Sequence, residues 1–129
     1  MKNICILMLI LFVGACEKKK EISYEDTREY RREIADSLNQ DCLKLIDISA
    51  AKRGENFQDL PRQRQTRLMA LCACIGSIMA HTLPNDETVK IKKYIDKGHS
   101  AMEYGNNNAD FQKKWTDVSN ECFEIIDKE

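Results

Sequence analysis

The amino-acid sequence predicts an all-α fold: a small antiparallel four-helix bundle with a buried central second helix, stapled by two disulfides. Three observations predict it. Apolar residues recur at three- and four-residue spacing after residue 22, and no stretch alternates as a strand does. The two prolines and the glycines other than Gly76 fall near segment ends, where helices stop. Cys42 and Cys122 lie within apolar stripes, and Cys72 and Cys74 sit in a segment, Leu68 to Leu83, that lacks charge.

The elements follow in order. Ser23 is a cap for a first helix, with Asp26 three residues on in a capping-box arrangement. Ile34, Leu38, Cys42 and Leu45 follow at 4, 4, 3 spacing as one stripe, and Lys52, Arg53 and Gly54 supply a cationic last turn and a stop. "ENFQDLP" reads as a loop whose Phe57 and Leu60 tuck under the bundle, and Asp59 as the N-cap of a second helix with Pro61 in its first turn. That helix runs to about Thr82, where Pro84 prevents continuation. From Leu68 to Leu83 it carries no Asp, Glu, Lys or Arg. A helix apolar or small on every face is expected to be buried on every face, so it belongs at the centre, with Ala73, Gly76 and Ser77 admitting a neighbouring backbone. Asn85 or Asp86 starts a third helix bearing Val89, Ile91, Tyr94, Ile95 and Met102, with Gly98 a candidate break and Gly105 its end. "GNNNAD" is a turn and cap. The fourth helix carries Phe111, Trp115, Val118, Cys122 and Ile125 at 4, 3, 4, 3 spacing.

The first sixteen residues, "MKNICILMLILFVGAC", place one positive charge at Lys2, an apolar run from Ile4 to Val13, and small residues before a cysteine. The run is too short for a membrane span of roughly 20 residues and has the layout of a secretory signal. Val13-Gly14-Ala15-Cys16 resembles the lipobox of bacterial lipoproteins. The resemblance covers residues 1–16 alone. It implies that residues 1–15 are a signal peptide that is cleaved and that Cys16 becomes a lipidated first residue, with Cys5 discarded. Glu17, in place of Asp after the cysteine, implies an outer-membrane anchor with the body in the periplasm. Residues 16–22 then form the lipidated cysteine and a short charged tether, "EKKKE" at its centre, and residues 23–129 a single helical domain.

Charge excludes several classes of function. The chain carries 20 basic and 21 acidic residues, net −1, and loss of residues 1–15 removes only Lys2, leaving net −2. It lacks the basic excess of a nucleic-acid binder and the acidic excess of a mimic that blocks a basic nuclease.

The exported compartment decides how the remaining cysteines read. Cys42, Cys72, Cys74 and Cys122 are even in number and point to disulfides. A Cys72–Cys74 bridge is excluded because residues two apart on a helix point about 160° away from each other. Two pairings survive: Cys42–Cys72 with Cys74–Cys122, which we prefer, or Cys42–Cys74 with Cys72–Cys122. Both staple the second helix to the first and the fourth.

Sharper chemistry finds little footing. His81 lies seven residues from Cys74, about 10.5 Å along a helix axis, so the two do not share a metal ion, and His99 belongs to another segment. Cys-x-Cys in mid-helix is not the Cys-x-x-Cys of a redox pair at a helix start. Ser77 and His81 are four apart but lack an acidic orienter and an oxyanion loop. Asp41 with Asp47, and Glu29 with Glu33, read as solvated faces, and Phe111 and Trp115 as core. No glycine-rich phosphate loop is present. The sequence therefore leads to a non-enzymatic protein with no cofactor and no metal, anchored to the membrane through Cys16 and binding a protein partner. The expected role is an assembly or sorting adaptor of the cell envelope, resembling in general plan the small helical pilotins. The alternatives are an immunity or exclusion lipoprotein that blocks a periplasmic toxin or conjugation component, and a sensor of small ligands or envelope stress.

Overall fold

The computed structural model describes residues 23–128. The signal-peptide, Cys16 and tether expectations lie outside these residues. The described chain is all-α and holds no strand. A 3₁₀ turn, Glu25–Thr27, leads into α1, Arg28–Lys52. A second 3₁₀ turn, Phe57–Asp59, precedes α2, Arg62–Thr82. Then come α3, Asn85–Asp96, the short α4, Ala101–Gly105, and α5, Ala109–Asp127.

Local chemistry explains most of the boundaries. Ser23 and Asp26 exchange hydrogen bonds, the Ser23 N–H to Asp26 Oδ2 at 3.1 Å and the Asp26 N–H to Ser23 Oγ at 3.2 Å, which is the reciprocal capping box. Asn108 caps α5 by accepting from the Phe111 N–H at 3.0 Å. Asp59 does not cap α2. It lies inside the 3₁₀ turn, which Asn56 caps through the Gln58 N–H, and Pro61 occupies the N-cap position of α2 with no side-chain bond.

The helix expected over Asn85–Gly105 is two helices. Gly98 takes φ +92°, which an L side chain rarely adopts, and the His99 N–H reaches back to the Tyr94 carbonyl at 3.0 Å, closing α3 in a Schellman-type turn. The chain then restarts at α4, whose first N–H groups are taken up by α1 side chains. Ser37 Oγ accepts from Ala101 N at 2.9 Å and Asp41 Oδ2 from Met102 N at 3.1 Å. Asp41 is therefore a capping group between helices and not part of a solvated face. This pairing brings a negative charge to a helix N-terminus, where it is favoured.

Helix α2 packs on α1 on one side and on α5 on the other, while α3 and α4 lie against α1. Its partners on α1 come in reverse order: Arg31 reaches Ala80, Ala35 and Asn39 face Gly76, and Cys42 meets Cys72. A Cβ on Gly76 would stand 2.8 Å from the Ala35 carbonyl oxygen, so the close approach of α1 and α2 at this level requires glycine. Leu71, Cys72, Ile75, Met79 and Ala80 are buried between the neighbours with Ile34, Leu38, Phe111, Val118 and Cys122. The expectation that α2 is buried on every face does not hold. Met69, Ala70, Ala73, Ser77 and His81 face solvent. Small and weakly polar side chains tolerate water, so the absence of charge marks a face that can be buried without requiring that it is. Ala73 and Ser77 accordingly admit no neighbouring backbone.

Candidate binding surfaces

Two disulfides hold the central helix. Cys42 bonds Cys72 across α1 and α2, with Cα atoms 5.5 Å apart, and Cys74 bonds Cys122 across α2 and α5, with Cα atoms 5.9 Å apart. Neighbouring thiols on α2 thus serve opposite partners, as side chains two residues apart on a helix must. Among the described residues no cysteine is free, and no group of three or more His, Cys, Asp or Glu side chains is placed to hold a metal ion.

Above this scaffold the stripes are incomplete, and that creates the surfaces. Leu45 continues the α1 stripe but is 49% exposed, and Ile48 is 53% exposed. Ile125 at the end of the α5 stripe is likewise exposed. The short α4, 5 residues long, meets α1 at Ser37 and Asp41 and leaves Leu45 beyond it partly uncovered. A groove of about 290 Å³ opens there, lined by Leu45, Met102, Phe111 and Trp115 with Asn106 and Gln112 at its rim. Phe111 is buried, whereas Trp115 is half-buried and turns one side to this groove. A second apolar groove, about 190 Å³, lies between the start of α2 and the end of α5, with Leu68, Leu71, Phe123 and Ile126 as its floor and Arg64, Arg67 and Asp127 beside them.

A wider cleft, about 500 Å³, lies between the first turns of α3 and α5 and is of mixed charge, with Asp86, Glu87, Asp110 and Asp117 facing Lys113 and Lys114. Several of its charged groups already have partners. The Tyr104 hydroxyl donates to Glu87 at 2.6 Å and Lys113 donates to Asp117 at 2.9 Å. Burial, then the bond to the Glu87 carboxylate, pushes the Tyr104 hydroxyl up to about 12. The Lys113 ammonium is raised by its bond to Asp117.

One buried charge organises the end of the molecule where residue 23 lies. Arg31 is 2% exposed. Its Nε donates to Thr27 Oγ1 at 2.9 Å, one terminal nitrogen to the carbonyls of Ala80 and Leu83 at 2.8 Å each, and the other to Asn85 Oδ1 at 2.5 Å. The Tyr24 ring covers the guanidinium at 4.5 Å. Desolvation lowers the Arg31 pKa, yet the arginine range leaves it charged. A cation here neutralises the carbonyl-rich end of α2 and fixes where α1, α2 and α3 meet.

The other residues weighed from sequence stay apart. His81 and Ser77 are exposed, and His81 Nδ1 lies 2.8 Å from the Ser77 carbonyl oxygen, an i,i+4 backbone contact. His99, in the connection between α3 and α4, pairs with Glu103 of α4 at 2.8 Å. Glu33 pairs with Lys92 at 3.0 Å, and Glu29 is exposed. Asp47 borders a cleft with Phe57 and Gln65. Sequence reasoning missed Arg31, although the signal was there: Thr27 and Arg31 extend the Ile34, Leu38, Cys42 stripe at the same helical spacing. Comparison with family models, with curated proteins and with solved structures finds no match.

Proposed function

We propose that the chain is a lipid-anchored helical protein of the bacterial cell envelope, held by Cys16 at the outer membrane with its body in the periplasm, and that it binds a protein partner as an assembly or sorting adaptor. The observation that carries this reading is the order of residues 2–16: a positive charge, an apolar run, small residues, then cysteine. We also propose an antiparallel four-helix plan in which α3 and α4 together take the third place. The adaptor reading gains support from the groove lined by Leu45, Met102, Phe111 and Trp115, a shape that takes the apolar face of a partner helix. The plug-like immunity alternative calls for a projecting polar loop. The segment before α2 is instead tied down, with Gln65 Nε2 donating to the carbonyls of Gln58 and Leu60. No arrangement of side chains described above pairs a nucleophile with a base, so a non-enzymatic role is the simpler reading.

The test is metabolic labelling of cells with a palmitate analogue. The wild-type protein is expected to take up label and fractionate with membranes, and Cys16→Ser to lose both. Label retained in Cys16→Ser removes the lipoprotein reading.

A further inference from the structure

We propose that the groove between the start of α2 and the end of α5 docks an acidic amphipathic segment of the partner protein, an inference that rests on the partner-binding reading above. Leu68, Leu71, Phe123 and Ile126 make it apolar, and its charged lining is two arginines, Arg64 and Arg67, against one carboxylate, Asp127. Phe123 is 51% exposed and borders the groove with Leu68, Leu71 and Ile126, which suits an anchoring aliphatic or aromatic side chain. Arg64 and Arg67 border the same groove. Arg67 is held by Asp127 at 3.0 Å, whereas Arg64 forms no ion pair or hydrogen bond among the described residues. The placement of these charges runs against helix stability. Arg62 and Arg64 occupy the first turn of α2, which contains no acidic residue, and cations at this positive pole cost stability that carboxylates would add. An incoming carboxylate relieves that conflict, and the planar guanidinium of Arg64 can engage it through two parallel bonds. The geometry thus fits a helix that presents one apolar face flanked by Asp or Glu, and not one flanked by Lys. The groove also lies at the opposite end of α2 from Ala80, about 24 Å along the axis at 1.5 Å per residue, away from the Arg31 node beside which residue 23 enters the domain.

The experiment uses the full-length protein in detergent and two fluorescent 18-residue peptides of the same apolar stripe, one with glutamate and one with lysine on the flanks. Anisotropy titrations at low and high salt read their affinities. The acidic peptide is expected to bind at least tenfold more tightly, with the difference shrinking in salt. The doubly substituted Arg64→Glu, Arg67→Glu protein should lose that preference, and Phe123→Ala should weaken binding. Asp127→Asn, which releases Arg67, should strengthen binding of the acidic peptide. All four positions are exposed, and circular dichroism verifies that the variants keep their helix content. Equal binding of both peptides, binding of neither, or a preference that survives the arginine substitutions overturns the proposal. Arginine-dependent binding to vesicles of anionic lipid without binding of the acidic peptide also overturns it, by making the groove a membrane contact. The palmitate experiment is separate, so failure of the groove and failure of the lipid anchor are told apart.

Discussion

Arg31 is the residue on which the most depends for its size. Four acceptors converge on its guanidinium, two of them carbonyls at the end of α2. Truncating it leaves those groups buried with no donor, and a buried network broken on one side costs about 3–5 kcal/mol. Arg31→Ala is therefore expected to lower the urea midpoint by that stability at an unchanged slope. Arg31→Lys should recover only part, because a point charge cannot serve the same fork. A loss under about 1 kcal/mol for Arg31→Ala, the net worth of one ordinary hydrogen bond, would show that the node does not hold this end together. Tyr104 makes a second, pH-linked prediction. Its hydroxyl is pushed up to about 12 in the fold by burial and the bond to Glu87, against about 10 in an unfolded chain. A pKa raised by folding stabilises fully below the unfolded value and is lost as pH rises through the folded one. Stability should thus fall between pH 10 and about 12. Ultraviolet titration should show a late phenol ionisation, and Tyr104→Phe should remove it along with its share of the pH dependence.

At the scale of elements, α2 is the member that ties the rest. The Cys42–Cys72 and Cys74–Cys122 bonds close spans of 30 and 48 residues, each worth about 4 kcal/mol in the chain-entropy model. Replacing Cys74 and Cys122 together by serine is expected to lower stability by several kcal/mol in chemical denaturation, with helicity retained below the transition. Non-reducing peptide mapping checks the same bonds directly, and free thiols at Cys72 and Cys74 would contradict the arrangement. The helices themselves were largely legible. The capping box at Ser23, the cap at Asn108 and the ends at Thr82 and Gly105 all follow from local chemistry. The start of α2 was not legible from Asp59, because the 3₁₀ turn uses that residue internally. Nor was the role of Asp41, because the N-terminus it caps lies 61 residues away in sequence.

For the whole molecule, the non-enzymatic role proposed above has a direct consequence. Alanine at Ser77, His81 or His99, all at or near the surface, should change stability by no more than about 0.5 kcal/mol and leave the phenotype of the gene intact. A folded His81→Ala or Ser77→Ala protein that behaves like a deletion would reveal an active site. The all-helical character, the capping signals and the stripes through Ile34, Leu38, Cys42 and through Phe111, Val118, Cys122 were determined by sequence alone, because helical spacing and caps are set within a few residues. The same is true of the exclusion of a Cys72–Cys74 bridge, since helix geometry separates those side chains before any packing occurs. Tertiary structure alone decided which thiol of α2 meets which partner and which face of α2 meets water. It alone left Leu45, Ile48 and Phe123 exposed and buried a charged arginine. Each of these depends on how much surface the neighbouring helices cover, and the short α4 and the close α1–α2 approach at Gly76 arise between segments distant in sequence, where no local pattern reaches.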